Sequence, residues 1–202
     1  MKRRSFNRAA SVSVIAVALA GLLTVGCKPA PLQFNSTDIT GASFASGFSL
    51  TDHTGKAVQL TDYAGKAVIV FFGFTHCPDV CPGTLIEMKA VMEKLGDQAG
   101  DVQVVFITVD PERDTQEVLS QYVPAFDKRF VGLRGDLQAT KAVTREFKVY
   151  FGKVPGTTEG SYTIDHTAAS YVFDREGKVR LMIKPDAGVE AIVADLKTLL
   201  TN

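Results

Sequence analysis

Two stretches of the chain show no polar alternation. Lys66–Phe74 (KAVIVFFGF) and Val102–Val109 (VQVVFITV) are near-continuous runs of β-branched and aromatic residues, the pattern of strands covered on both faces. Between them Leu85, Met88, Val91, Met92 and Leu95 recur at helical spacing and predict a helix from about Pro82 to Leu95. Asp114-Thr115-Gln116-Glu117 has the spacing of a capping box with Asp114 as N-cap, opening a helix to about Ala125. Arg129–Leu133 reads as a brief strand, and Asp136 as the cap of a helix through Phe147.

The flanks are patterned differently. Phe48–Thr51 and Ala57–Leu60 surround the polar turn His53-Thr54-Gly55-Lys56 and predict a hairpin. Tyr162–Ile164 and Ser170–Phe173 are strand-like, the second pairing with Lys178–Ile183 across Asp174–Gly177. Val189, Ile192, Val193, Leu196, Leu199 and Leu200 form the apolar stripe of a last helix. Buried parallel strands linked by helices, followed by an antiparallel pair and a terminal helix, predict a thioredoxin-like α/β sandwich with an N-terminal β-hairpin extension. Open α/β sheets carry their sites beyond the carboxyl ends of their strands. Residues 77–81 lie there.

Composition changes this picture at one end only. With 202 residues, 46% apolar and 22% charged, the chain has the make-up of one globular domain rather than of a disordered segment. Its charges cancel, 22 against 22, but residues 1–26 hold Lys2, Arg3, Arg4 and Arg8 and no acid. The other 18 basic residues face 22 acidic ones, a balance of −4 that leaves no electrostatic footprint for nucleic acid. Basic residues followed by the 17-residue apolar and small run Ala9–Val25 and then Gly26-Cys27 read as an export signal. A small residue before a Cys at that place resembles a bacterial lipoprotein signal, with Cys27 as the lipid site; an uncleaved membrane anchor is the alternative. The expected organisation is therefore 1–27 signal or anchor, 28–45 a Pro- and Ser-containing tether, and 46–202 the domain. All versions place the domain on the periplasmic or extracytoplasmic side, tethered to a membrane.

Setting Cys27 aside leaves two cysteines, Cys77 and Cys81. A bond between them would close a loop too short to stabilise the fold much, so they are chemistry rather than staples. Pro82 suits a first helical turn, which places Cys77–Cys81 in a loop above the helix N-terminus, where the helix dipole should lower a thiol pKa. Thiolates are both nucleophiles and soft-metal ligands, and this geometry does not choose between them. A metal needs a third ligand, and there are three histidines. His53 falls in the hairpin turn, where solvent is its expected neighbour. His76 adjoins Cys77 too closely to share one ion comfortably. His166 lies in a strand expected to pass beside the cysteine loop; two thiolates and an imidazole would match Cu(I) in softness. Pairing with Asp165 at the surface is the other reading of His166. Asp110 and Asp114 read as turn and cap, Asp79 as a solvated loop residue, and Met88 and Met92 as core.

Three motifs, Phe72-Gly73-Phe74-Thr75-His76-Cys77-Pro78-Asp79-Val80-Cys81-Pro82, Val109-Asp110-Pro111-Glu112-Arg113-Asp114-Thr115 and Asp165-His166-Thr167 with Tyr171, Asp174 and Gly177 following, resemble the Sco/SenC family of copper-binding, thioredoxin-like proteins. The resemblance covers roughly residues 46–200. It implies copper ligation by Cys77, Cys81 and His166, as Cu(I) with Cu(II) left open. It further implies a copper-accepting subunit of cytochrome c oxidase as client, a copper donor protein, and membrane attachment through the N-terminus. On that reading the chain is a metallochaperone rather than an enzyme. Thiol–disulfide exchange by Cys77 and Cys81, reducing client cysteines, is the competing function. A peroxidase of the same fold is a third, disfavoured because Thr75 stands two rather than three residues before Cys77.

Overall fold

The computed structural model of the chain describes residues 32–201; the expected export signal and Cys27 lie outside them. Among the described residues the strands are β1 (Thr37–Asp38), β2 (Ser49–Asp52), β3 (Ala57–Gln59), β4 (Ala67–Gly73), β5 (Val102–Thr108), β6 (Val131–Arg134), β7 (Phe151–Pro155), β8 (Tyr162–His166), β9 (Ser170–Phe173) and β10 (Val179–Ile183). The helices are α1 (Val80–Leu95), α2 (Gln116–Phe126), α3 (Leu137–Glu146) and α4 (Val189–Thr201). None of these helices is long and apolar enough to cross a membrane.

The apolar runs become β4 and β5, buried at every position and paired in parallel from Ala67↔Val102 to Gly73↔Thr108. Successive side chains of a strand point to opposite faces, and both faces are covered here. Ala67, Ile69, Phe71, Val102, Val104 and Phe106 join the stripe residues of α1 and α4 and Leu119 and Val123 of α2. Val68, Val70, Phe72, Val105 and Ile107 meet Val143 of α3 and the aromatic group Phe147, Tyr171 and Phe173. Met88 and Met92 are core, as their spacing predicted. Strand β6 extends the parallel centre, β9 and β10 add antiparallel strands on one side, and the β2–β3 hairpin joins β6 on the other.

Four sequence expectations need correction. Helix α1 begins at Val80, not Pro82, so Cys81 belongs to its first turn. Pro82 is tolerated because a first-turn N–H has no intrahelical partner to lose. The N-cap of α2 is Thr115, whose side chain accepts from Val118 N; Asp114 is turned inward instead. Strand β7 was not expected. It pairs with β8 in a separate two-stranded sheet, so β9 rather than β8 neighbours β4.

The described part of the expected tether, residues 32–45, is folded onto the domain. Asn35 and Ser36 donate their backbone N–H groups to the buried carboxylate of Asp195 in α4 at 2.7 and 2.8 Å. Strand β1 pairs with β10, Ala45 is buried and its N–H donates to Glu146 O, and Phe44 packs edge-on against Tyr171. Composition misled because Asn35 and Ser36 here serve as hydrogen-bonding groups on α4 rather than as solvated linker.

Candidate metal centre

Strand β4 delivers Phe74, Thr75 and His76 past the carboxyl edge of the sheet, and the chain turns into α1 through Cys77 and Cys81. Cys77 Sγ stands where an N-cap oxygen usually does, accepting the Cys81 N–H at 3.4 Å. Asp79, the residue at the N-cap position, makes no side-chain cap bond and is exposed, as expected. Both thiols are free; Cys77 is half-buried and Cys81 is buried, with 2% of its surface exposed. Burial pushes the Cys81 thiol up, opposed in part by a hydrogen bond from the Phe74 backbone. This reverses the sequence expectation for Cys81. A helix N-terminus favours a thiolate, but loss of water outweighs it once the sulfur is enclosed.

Enclosure depends on Gly73. A Cβ at that position would lie 2.8 Å from Cys81 Sγ and 2.8 Å from Phe106 Cε2. The glycine is the notch into which the thiol fits.

His166, at the end of β8, brings Nε2 to 3.7 Å from Cys81 Sγ. Its Nδ1 is 3.0 Å from Thr167 O. A carbonyl only accepts, so in the neutral ring Nδ1 carries the hydrogen and Nε2 presents its lone pair to the sulfur. The ring also meets Phe74 edge-on, 5.8 Å between centroids. Bond lengths of about 2.3 Å to sulfur and about 2.0 Å to nitrogen, those of zinc, separate two ligands of a trigonal ion by about 3.7 Å. The Cys81–His166 pair already has that spacing. Among the described residues no three His, Cys, Asp or Glu side chains are closed around one point. The other two histidines are elsewhere employed. His53 Nδ1 accepts from Gly132 N at 3.0 Å, which corrects its reading as merely solvated. His76 is exposed, with Nδ1 3.1 Å from Thr75 Oγ1.

The turn after β5 underpins this arrangement to an extent that its sequence did not reveal. Asp114 is fully buried and accepts from Thr75 N at 3.0 Å, Thr75 Oγ1 at 2.6 Å and Thr108 Oγ1 at 2.6 Å. Burial raises its carboxyl pKa against the opposing pull of those donors. Asp110 is also buried; it pairs with Arg113 Nε and accepts from Tyr162 OH at 2.9 Å. Asp110 opens the expected turn but Asp114 is not the expected cap, and the partners Tyr162 and Thr75 lie 52 and 39 residues away in sequence. Thr75→Val keeps the side-chain shape and deletes one hydrogen bond to a charged group. It should destabilise the domain by about 2 kcal/mol in urea unfolding.

A model of the family described as SCO1/SenC matches residues 36–201. The SCO2-like protein of Rickettsia felis is 37% identical over 171 residues, covering 84% of this chain and 83% of its own length. Among solved structures, Bradyrhizobium japonicum ScoI with copper bound is 42% identical and superposes with a TM-score of 0.70 over 76% of this chain and 97% of that one. Apo Sco1 from Thermus thermophilus is 39% identical, with a TM-score of 0.74 over 84% and 99%. The thioredoxin-like α/β fold predicted from the element order is that of these structures.

Proposed function

Because this chain belongs to the SCO1/SenC family, we propose that it is a copper carrier, with Cu(I) as cargo bound by Cys77, Cys81 and His166. The observation that carries the reading is the 3.7 Å approach of His166 Nε2 to Cys81 Sγ, with the Nε2 lone pair directed at the sulfur. The copper-bound relative at 42% identity supports the choice of metal, as does the softness of two thiolates and an imidazole. Capture requires Cys77 Sγ to leave the Cys81 N–H and turn toward the other two ligands. A three-coordinate ion keeps a direction open, so a client thiolate can enter before a carrier ligand leaves. The client is the copper-accepting subunit of cytochrome c oxidase, which the carrier meets outside the cytoplasm, held at the membrane by a lipid on Cys27, the N-terminal residue once the signal is removed.

The test is a competition titration of the reduced protein with Cu(I) against a chromophoric chelator. One equivalent should bind, and His166→Ala should weaken binding by more than about tenfold, since losing even an outer partner of a ligand costs about 10–100-fold. An unchanged affinity would remove the imidazole from the site.

A second reading is favoured by one observation: Cys77 is half-buried and Cys81 buried, the asymmetry of an attacking and a resolving thiol. Cys77 would attack a client disulfide and Cys81 would resolve the mixed disulfide, leaving the client reduced and the carrier oxidised. His166→Ala would then retain the reductase activity, whereas Cys77→Ala or Cys81→Ala would abolish it.

A further inference from the structure

We propose that Arg113, acting with Asp110 and Tyr162, is the positioning residue that sets His166 against Cys81; this rests on the copper reading above. The question arises from the topology. His166 ends a strand that pairs only with β7, outside the main sheet, so no ladder of hydrogen bonds to β4 places it beside the cysteines. The hairpin is fastened instead to the turn after β5. Arg113 lies 3.7 Å over the Tyr162 ring and donates from Nη1 to Tyr162 O at 2.8 Å. Its Nε pairs with Asp110, which also takes the Tyr162 hydroxyl. Lys153 of β7 covers the same ring at 4.3 Å and pairs with Glu112 at 2.6 Å.

The same guanidinium faces the cysteine side of the cleft. It stands 5.8 Å from the centroid of Phe74, the ring that meets His166 edge-on. Arg113 thus touches both the strand that carries the imidazole and the ring that imidazole leans on. Its Nη2 is buried without a hydrogen-bond partner, a cost that a side chain serving only its own turn would avoid by pointing to water. A planar fork can hold Asp110, reach the Tyr162 carbonyl and stack on the Tyr162 ring together; an ammonium cannot. Arg113→Lys therefore keeps the charge and loses the placement.

The experiment compares Arg113→Lys, Tyr162→Phe and His166→Ala, alone and with each of the first two combined with the third. Cu(I) competition titration is one readout. The nuclear Overhauser contact between the Phe74 and His166 rings in reduced, copper-free protein is the other. Arg113→Lys should weaken Cu(I) binding by about tenfold, the low end of what loss of a ligand's outer partner costs, diminish the ring contact, and cause no further weakening once His166 is Ala. Tyr162→Phe removes one hydroxyl and should act in the same direction; it decides the matter if Arg113→Lys does not fold. A wild-type affinity with the ring contact intact overturns the proposal, as does an equal weakening in the His166→Ala background. If His166→Ala leaves Cu(I) binding unchanged, the copper reading fails, while the ring contact still decides whether Arg113 places the imidazole.

Discussion

Gly73→Ala should destabilise the domain by about 2 kcal/mol and at the same time weaken Cu(I) binding. The added methyl would sit 2.8 Å from Cys81 Sγ on one side and 2.8 Å from Phe106 on the other, and both neighbours are buried. Overpacking of this kind costs about 1–3 kcal/mol and occasionally more. Relieving the glycine's extra backbone entropy returns at most about 1 kcal/mol, so the clash wins. The yielding group matters more than the sum. Phe106 is wedged between Phe71 and Tyr122, its ring 5.2 and 6.1 Å from theirs, which leaves the thiol to move, away from the spacing it keeps with His166. Metal sites tolerate ligand errors of only about 0.2 Å. Urea unfolding and Cu(I) titration of the same preparation check the two halves; wild-type values in both would show that strand and helix part without cost.

Phe147→Ala should have the largest effect on stability, about 3–5 kcal/mol, with Cu(I) affinity retained in the folded protein. Phe147 is fully buried and meets the rings of Phe72, Tyr171 and Phe173 at centroid distances of 5.1, 5.4 and 5.9 Å. It closes α3 over the face of β4 and β9 that lies opposite α1. Truncation removes three edge contacts and opens a cavity that α3 and strands β4 and β9 would have to collapse to fill. The expected result is a large fall in urea midpoint with an unchanged slope. A loss below about 2 kcal/mol would mean that α3 settles inward and refills the space.

The contrast between these two positions mirrors what the sequence could reveal. Strands β4 and β5 and helices α1 and α4 were legible because burial on two faces, or on one stripe, writes a period into the chain. Strand β7 was not. Phe151-Gly152-Lys153-Val154-Pro155 is partly exposed throughout and contains both a glycine and a proline, so it carries neither alternation nor an apolar run. That omission misplaced β8. The sequence places His166 beside the cysteines through a strand expected to neighbour theirs, whereas the structure brings it there through a detached hairpin clasped by Arg113. Thiols and imidazoles are few enough to be found by inspection. The groups that hold them, Gly73, Asp114 and Tyr162, have common identities and distant partners, and only tertiary contact distinguishes them from an ordinary strand residue, cap and edge aromatic. The raised Cys81 pKa belongs with these, since the sequence displays the helix end but not the enclosure.

The stitch between Asn35, Ser36 and Asp195 joins positions 160 apart in the chain, and β1 completes its pairing only on β10. Such contacts give the domain a high contact order and a correspondingly slow route to the native state. A polypeptide emerging residue by residue has Cys77 and Cys81 in the open well before α4 exists to seal the fold. The dithiol is consequently most vulnerable to oxidation during its own biogenesis, in the interval between emergence of the cysteine turn and arrival of the last helix.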